Sequence, residues 1–211
     1  MGLSDPIFEK LILEHKPGII VEIGSWKGAS AIGMAKIIQR EGLDCEIVCI
    51  DTWLGNWQHW SRKDGIGSIK DLNLDNDYPT LYYQFLSNVI FTDTQNIITP
   101  LPLPSFAGVK LMEHYDIKPD IIYVDGDHEY IPVSQDIACW YERLAIGGVF
   151  FGDDYKWPGV QKAVKEFSEA RKLKYTTHKK MWVFESRKGT FVLNQERHRV
   201  DLELTAKRPP W

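Results

Sequence analysis

Two short acidic stretches end apolar runs and hold the residues best suited to chemistry. The stretch YVDGDHEY, residues 123–130, contains Asp125 and His128, and VFFGDDY, about 25 residues later, contains Asp153 and Asp154. Carboxylates at the ends of buried strands are costly unless a positive charge lies beside them. Carboxylate oxygens can hold a hard cation, and a neutral imidazole can accept a proton from a hydroxyl group. The pattern therefore indicates a binding site with acid–base chemistry.

The apolar runs predict the elements that must position these residues. Short apolar runs bounded by Gly or Pro alternate with segments of helical spacing, which is typical of a mostly parallel sheet with helices on both faces. We therefore predict an α/β fold. The predicted strands are 17–24, 45–53, 96–101, 119–126 and 147–154, with a closing hairpin over 174–186, and the predicted helices are 29–42, 82–91, 105–115, 133–145 and 160–172.

The carboxyl ends of the predicted strands form one rim of the sheet. In folds of this kind, ligands bind beyond those carboxyl ends. We therefore expect the acidic strand ends to converge on one site. The residues that this rule places on the rim are Gly24, Asp51, Asp125, Asp127, Asp153 and Asp154.

Two segments fall outside the alternating pattern. Residues 54–80 are rich in Gly, Asn and Asp and contain Trp57 and Trp60. A stretch this long without periodicity is either a functional lid or a disordered loop, and its aromatic residues favour a lid over the site. Residues 189–211 are charged and weakly patterned, and we interpret them as an oligomer arm or a surface appendage. We predict a single domain over 1–188, with the lid as an insertion.

Composition limits the function classes. A net charge of −4 argues against a nucleic-acid partner, which normally needs a basic face. The sequence has no apolar run of about 18 residues and no signal-peptide pattern at its start, so we expect neither a membrane nor a secreted location. The three cysteines are interpreted as reduced core residues. These features predict a cytoplasmic protein.

The loop VEIGSWKGAS, residues 21–30, joins the first predicted strand to the first helix. A glycine there lets a ligand approach the backbone and the free N–H groups of the helix. A dinucleotide fingerprint needs a second glycine where Trp26 stands, so a dinucleotide is disfavoured. The remaining pattern runs from Glu22 through Gly24 to Gly28. Asp51, 27 residues after Gly24, can accept hydrogen bonds from ribose hydroxyls or cap the next turn.

With these residues the chain resembles the S-adenosylmethionine-dependent methyltransferases that have a Rossmann-like sheet. The pattern is most similar to small-molecule O-methyltransferases, which include macrolide and other sugar O-methyltransferases and the cephamycin-pathway type. It covers roughly residues 17–170. The matching stretches are VEIGSWKGAS, IDTW, FLSNVI, ITPLPLPS, DIIYVDGDHEY, the helix with Asp136 and Trp140, and GGVFFGDDY.

The resemblance implies a seven-stranded sheet and S-adenosyl-L-methionine as the cofactor. Ser105 stands where related enzymes place a polar residue against the adenine, although it also suits the N-cap of the helix 105–115. The implied cofactor-binding residues are Glu22, Gly24, Ser25, Trp26, Gly28, Ser30, Asp51, Thr52, Trp53, Ser105, Asp125 and His128.

The resemblance also implies a divalent metal, usually Mg²⁺, held by Asp125, Asp153 and Asp154. Magnesium prefers hard oxygen ligands, and a metal-bound hydroxyl is more acidic, so a neutral His128 could take its proton as general base. Asp125 and His128 are therefore the predicted catalytic residues. The alternatives are that the carboxylates cap helices and that His128 is structural. Asp127 is left open as a ligand, a helix cap or a residue that supports the ligands.

We therefore predict an O-methyltransferase that acts on a hydroxyl group of a small molecule, sugar-like or carrying a vicinal diol. Two alternatives stay open: a metal-independent methyltransferase, and a non-catalytic protein that binds S-adenosyl-L-methionine. Acceptor choice is expected to depend on the lid, and the sequence names neither the acceptor nor the oligomeric state.

Overall fold

The structure is a computed structural model that describes residues 5–64 and 67–185. The predicted appendage 189–211 and the end of the predicted domain 1–188 lie outside these residues. The strands are β1 (Ile19–Ile23), β2 (Glu46–Asp51), β3 (Leu74–Asp75), β4 (Tyr78–Pro79), β5 (Ile98–Pro102), β6 (Ile121–Val124), β7 (Val149–Gly152), β8 (Tyr175–His178) and β9 (Met181–Phe184). The helices are α1 (Pro6–His15), α2 (Ala29–Glu41), α3 (Trp57–Ser61), α4 (Leu81–Phe91), α5 (Ser105–His114), α6 (Tyr130–Tyr141) and α7 (Pro158–Arg171), with a 3-10 turn over Ile69–Leu72.

Seven strands form one sheet in the order β5-β2-β1-β6-β7-β9-β8. The first five are parallel, β9 runs antiparallel to β7, and β8 runs antiparallel to β9. The predicted seven-stranded α/β sheet is thereby confirmed. The chain leaves β1 towards β2 on one side and later returns to β6 on the other. Ligands of open α/β sheets bind beyond the strand ends at such a switch point.

Both faces of the central strands are buried because alternate side chains point to opposite sides of a sheet. In β1, Ile20 packs into a core with α1, α2 and α4, whereas Val21 packs into a second core with α5, α6 and α7. In β6, Tyr123 packs into the first of these cores and Ile122 into the second. Two-sided burial is typical of parallel strands and explains why these strands appear as unbroken apolar runs in the sequence.

Helix α1 is an element that the sequence analysis does not predict. Its start is marked by Asp5, whose carboxylate accepts a hydrogen bond from the first turn, and by Pro6. Phe8 of this helix packs edge-on against Tyr123 of β6, with ring centroids 5.1 Å apart. The helix therefore covers one face of the sheet behind the acidic rim.

The described parts of the predicted lid, residues 54–64 and 67–80, contain regular structure. They form α3, the 3-10 turn and the antiparallel pair β3–β4, and Leu72 is fully buried in the core. Trp57 and Trp60 are exposed. The described part of this segment is therefore folded, and Leu72 anchors it in the core. Within the described ranges, no helix combines the length and the apolar character that crossing a bilayer requires.

Candidate active site

The strand register brings three loops to one rim. Ile23 of β1 lies beside Val124 of β6, which lies beside Gly152 of β7. Backbone hydrogen bonds continue this alignment just beyond the strands. Asp125, directly after β6, donates its N–H to the backbone oxygen of Ile23 at 2.8 Å. Asp153, directly after β7, donates its N–H to the backbone oxygen of Val124 at 3.1 Å. The residues that open onto the rim are therefore Gly24, Asp125 and Asp153.

Gly24 is the position where the first loop touches the loop after β6. Its φ is +85°, and a Cβ atom there would lie 2.3 Å from the backbone oxygen of Asp125 and 2.4 Å from Cα of Gly126. Only glycine permits this approach, both for its backbone conformation and for its lack of a side chain. The sequence predicts that glycine is needed here for contact with a ligand. The structure shows a second reason, which is the close contact between two loops of the site.

Asp51 orders the backbone of the first loop. Its Oδ2 accepts a hydrogen bond from the backbone N–H of Trp26 at 2.9 Å, and its Oδ1 accepts one from Trp53 at 2.8 Å. Burial raises the pKa of Asp51, and these backbone hydrogen bonds act against that rise. Each carboxylate oxygen can accept a second hydrogen bond, so Asp51 can hold the loop and still bind hydroxyl groups. Thr52 beside it is exposed.

Glu22 is fully buried at the end of β1. Ser30 donates a hydrogen bond to its carboxylate, and the Cys49 thiol lies 3.4 Å from its Oε2. Burial raises the pKa of Glu22. Ser25 lies in the adjoining loop and is 2% exposed. Its Oγ makes no well-formed hydrogen bond among the described residues, but it lies near enough to Glu22 and Cys49 to act against the rise in pKa that burial causes in both. A bound ligand can use the remaining hydrogen-bonding capacity of this hydroxyl group.

Trp53 and Gly28 are predicted cofactor residues whose roles in the structure are packing roles. Trp53 is 1% exposed, and its indole N–H donates to the backbone oxygen of Trp26 at 2.7 Å. A Cβ atom at Gly28, where φ is +85°, would approach the ring of Phe85 of α4 to 3.0 Å. The side chain of Trp53 is therefore part of the core, and Gly28 allows the loop to pack on α4.

Ser105 is not the N-cap of α5, so one of its two predicted roles is wrong. It is the first residue of α5, and Pro104 holds the cap position. Its hydroxyl group donates to Asp136 of α6 and accepts from the indole N–H of Trp140 at 2.9 Å. Burial raises the pKa of Asp136 to about 6. Ser105 and Asp136 line a cleft of about 220 Å³, together with Phe106, Pro132, Gln135 and Cys139.

Cys139 corrects the prediction that all three cysteines are core residues. Cys45 and Cys49 are buried, whereas Cys139 is exposed and lines the cleft beside Ser105. Within the described residues, none of the three forms a disulfide bond.

Asp125 lies against a tyrosine at the rim. The hydroxyl group of Tyr123 donates to Asp125 Oδ2 at 3.0 Å and lies 3.4 Å from Asp153 Oδ2. Burial and the neighbouring charges of Asp153 and Asp154 raise the pKa of Asp125 well above its usual range. Tyr123, which the sequence analysis did not single out, therefore links two of the predicted metal ligands.

His128 pairs with Asp154. Its Nε2 lies 2.7 Å from Asp154 Oδ2, and its ring stacks on Trp157 with centroids 5.0 Å apart and an interplanar angle of 24°. The hydrogen bond to Asp154 raises the pKa of His128, and the same contact lowers the pKa of Asp154. The imidazole is thus held from its edge by a carboxylate and from its face by an indole.

Asp127 orders the turn that precedes α6. Its Oδ1 accepts hydrogen bonds from the backbone N–H groups of His128 at 2.6 Å and Glu129 at 2.8 Å. Both groups lie before the first residue of α6, and Glu129 holds the N-cap position. The helix-cap role that was left open for Asp127 is therefore wrong, and its other two roles stay predictions.

Two of the three predicted Mg²⁺ ligands are paired with other side chains of this chain. Asp153 pairs with the ammonium group of Lys180 from the turn before β9, and Asp154 pairs with His128. In the described part of the chain, no three His, Cys, Asp or Glu side chains are grouped as ligands for one ion. The residues lie together at the rim, but they contact partners of this chain, so as they stand they do not fit a magnesium site.

The insertion reaches the loop after β6. The indole N–H of Trp57 donates to Glu129 Oε1 at 2.9 Å, and the ring of His59 stacks on Trp26 with centroids 4.7 Å apart. The sequence indicates Trp57 and Trp26 as candidate residues, but it does not predict these two contacts. Pairing between distant loops leaves no periodic signal. The position of Lys180 could have been predicted more easily, because the predicted hairpin 174–186 places its turn near the end of β7.

A family model described as a methyltransferase domain matches residues 21–155. Among solved structures, the O-methyltransferase NovP is 17% identical, with a TM-score of 0.64, and the match covers 87% of this chain and 77% of NovP. An O-methyltransferase from Bacillus cereus, solved in complex with SAH, is 14% identical, with a TM-score of 0.62, and the match covers 89% and 83% of the two chains. At these identities the likeness shows the fold.

A curated relative, an uncharacterized protein of Acanthamoeba polyphaga mimivirus, is 38% identical over 65 residues. The match covers 28% of this chain and 29% of the viral protein. The chain thus spans less than a third of the length of that relative.

Proposed function

The chain belongs to the methyltransferase-domain family, and from this premise we propose that it transfers the methyl group of S-adenosyl-L-methionine to a hydroxyl oxygen of a small molecule. The pairing of His128 with Asp154 at the rim carries the proposal of oxygen as the acceptor atom. A hydroxyl group must lose a proton to become a good nucleophile, and this pair is built to accept one.

The first loop supports the choice of cofactor. The buried hydroxyl group of Ser25 and the ordered carboxylate of Asp51 lie at the carboxyl ends of β1 and β2. We propose that Asp51 accepts the ribose hydroxyl groups and that Ser25 and the backbone at Gly24 contact the rest of the cofactor. Ser105 and the cleft beside it are proposed to lie against the adenine. Glu22 and Ser30 support the loop from below.

His128 is the proposed general base. Its Nε2–H donates to Asp154, so the lone pair of the neutral ring lies on Nδ1, a tautomer assigned from this contact. Nδ1 accepts the proton of the acceptor hydroxyl, and Asp154 balances the charge of the resulting imidazolium. S-adenosyl-L-methionine, when bound, supplies a methyl carbon that the hydroxyl oxygen takes up, while the electrons of the broken C–S bond stay on sulfur.

The acceptor is proposed to be sugar-like or to carry a vicinal diol. The rim offers carboxylate oxygens, which accept from hydroxyl groups, and one ammonium group, which donates to them. Adjacent hydroxyl groups can therefore be held at once, one near His128 and the other near Asp125. Trp57 and Trp60 of the insertion supply aromatic surface above such a ligand.

A binding and transfer assay tests the proposal. The full chain is titrated with S-adenosylhomocysteine and with NAD by calorimetry, and then incubated with methyl-labelled S-adenosyl-L-methionine and a pool of sugars, nucleotide sugars and catechols. We expect binding of the first ligand only and label in a hydroxylated acceptor. Binding without transfer to any acceptor would favour the non-catalytic alternative, and tight NAD binding alone would end the proposal.

A further inference from the structure

The turn between β8 and β9 delivers a lysine to the acidic rim. Strand β9 pairs antiparallel with β7 in a register that sets Trp182 opposite Gly152. A Cβ atom at Gly152 would lie 2.3 Å from the ring of Trp182, so only glycine lets the indole pack at this point. Three residues after Gly152, Tyr155 donates its backbone N–H to the backbone oxygen of Lys180 at 2.8 Å. The register therefore fixes Lys180 beside the acidic pair.

The ammonium group of Lys180 contacts Asp153 Oδ2. The Asp153 side chain is 3% exposed and that of Lys180 is 52% exposed, so the lysine covers a buried carboxylate from the solvent side. Asp125 and Asp154 also act on this lysine. Burial opposes its charge, but Asp153 and then the other two carboxylates raise the pKa of Lys180.

The indole N–H of Trp182 donates to the backbone oxygen of Asp153 at 3.0 Å. Strand β9 thus holds both the backbone and the side chain of Asp153. A divalent ion that used Asp153 as a ligand would have to separate this carboxylate from Lys180, and a buried charge that loses its partner is strongly destabilised.

We infer that Lys180 is the resident cation of the rim, in the place where the sequence predicted Mg²⁺, and that methyl transfer needs no divalent metal. Lys180 neutralises part of the carboxylate charge and leaves its remaining donors for an oxygen of the acceptor. The statement about transfer rests on the proposed function, whereas the statement about the cation does not. The sequence prediction of a magnesium site is the alternative.

Manganese binding, followed by electron paramagnetic resonance, tests the cation in the full chain without any acceptor. We expect the wild-type chain to bind no stoichiometric Mn²⁺. Lys180→Met removes the charge at similar length and should raise Mn²⁺ affinity at least about tenfold, because the carboxylates lose their counter-charge. Lys179→Met is the matched control, since Lys179 lies in the same turn and pairs with Asp5 at 3.7 Å. It should behave like the wild type.

Transfer is then measured with chelator and with added Mg²⁺. We expect equal wild-type rates in both, a loss of at least about tenfold in Lys180→Met with chelator, and retention in Lys180→Arg. One Mn²⁺ bound per wild-type chain, with transfer abolished by chelator, would overturn the inference. Unchanged Mn²⁺ affinity in a folded Lys180→Met chain would also overturn it.

The proposed function and the assignment of Lys180 as the cation can be contradicted independently. If no acceptor is methylated and S-adenosylhomocysteine does not bind, the proposed function fails, and the manganese comparison still decides the cation. If Lys180→Met does not fold, the wild-type manganese titration and the Lys180→Arg chain decide it.

Discussion

The imidazole of His128 and the carboxylate of Asp154 meet at 2.7 Å between Nε2 and Oδ2, and this contact joins the loop after β6 to the loop after β7. Asp154 has a φ of +59°, an uncommon conformation for a residue other than glycine. Aspartate adopts this conformation more readily than most residues, so the turn after β7 accommodates Asp154 and directs its carboxylate to the histidine. The contact itself supports the base role proposed for His128.

Cofactor affinity should depend on Asp51. Asp51→Ala removes the proposed ribose contact and the acceptor of two backbone N–H groups, so we expect affinity for S-adenosylhomocysteine to fall by roughly 1.5–3 kcal/mol, the scale of charged hydrogen bonds left unmade. Calorimetry measures the change. Asp44→Ala, at an exposed aspartate before β2, is the control and should bind normally. Unchanged affinity in a folded Asp51→Ala chain would remove Asp51 from the cofactor site.

Stability should depend on pH through Asp136. Its pKa in the folded chain is raised from 3.8 to about 6, so the stability it contributes is fully present below about pH 4 and is lost as the pH rises through about 6. Asp136→Asn keeps the acceptor for Ser105 and carries no charge. Because the side chain is only partly shielded from solvent, we expect this variant to be more stable than the wild type by about 1–2 kcal/mol at pH 8.

Urea denaturation at pH 4 and pH 8 checks the Asp136 prediction. At pH 4 the two chains should differ little. Asp116→Asn, at an aspartate whose side chain is 78% exposed, should show no gain that depends on pH. An Asp136→Asn chain that is less stable at pH 8 would show that the ionised carboxylate stabilises the contact between α5 and α6.

Folding should depend on Gly24 through the loop contact. Gly24→Ala would place a Cβ atom 2.3 Å from the backbone oxygen of Asp125, and we expect a loss of roughly 2–4 kcal/mol in the free energy of unfolding. Gly42→Ala is the matched control, since Gly42 also has a positive φ, +61°, but no atom lies within 4 Å of its Cβ position. It should lose only about 1–2 kcal/mol, the cost of the backbone conformation. Equal losses would mean that the loops can separate at little cost.

Acceptor use should depend on the contact between the insertion and the loop after β6. Trp57→Phe removes the indole donor to Glu129 and keeps an aromatic ring, so we expect a higher KM for the acceptor with cofactor affinity unchanged. Trp60→Phe is the control, because the Trp60 indole donates to Leu54 within the insertion. Steady-state kinetics distinguish them. An unchanged KM in Trp57→Phe would show that this contact does not affect acceptor binding.

The sequence predicted the sheet because parallel strands are buried on both faces and leave apolar runs between Gly and Pro. The same reasoning led to Asp125 and Asp153 at neighbouring strand ends, since the carboxyl ends of parallel strands meet at one edge. The partners of these residues were not predictable in the same way. Lys180 contacts Asp153, 27 residues earlier in the sequence, because β9 pairs antiparallel with β7. Likewise, Ser105 of α5 contacts Asp136 of α6.

One predicted role of Ser105 is wrong for a physical reason, and the predicted magnesium site is not shown for a related one. Ser105 has the residue type and approximate position of an N-cap, but its hydroxyl group hydrogen-bonds to the half-buried carboxylate of Asp136 and to an indole, which a local pattern cannot show. Three carboxylates at one rim fit a metal site by composition. The tertiary structure instead gives Asp153 an ammonium group and Asp154 an imidazole.

The site of methylation and its dependence on His128 test the central claim most directly. The full chain is incubated with an accepted substrate and S-adenosyl-L-methionine labelled with carbon-13 in the methyl group, and the product is examined by NMR. We predict label in a methyl ether. We also predict a rate about 10²–10⁴ lower in His128→Gln, with affinity for S-adenosylhomocysteine retained. Label on nitrogen or carbon, or a His128→Gln chain that keeps the wild-type rate, would contradict the account.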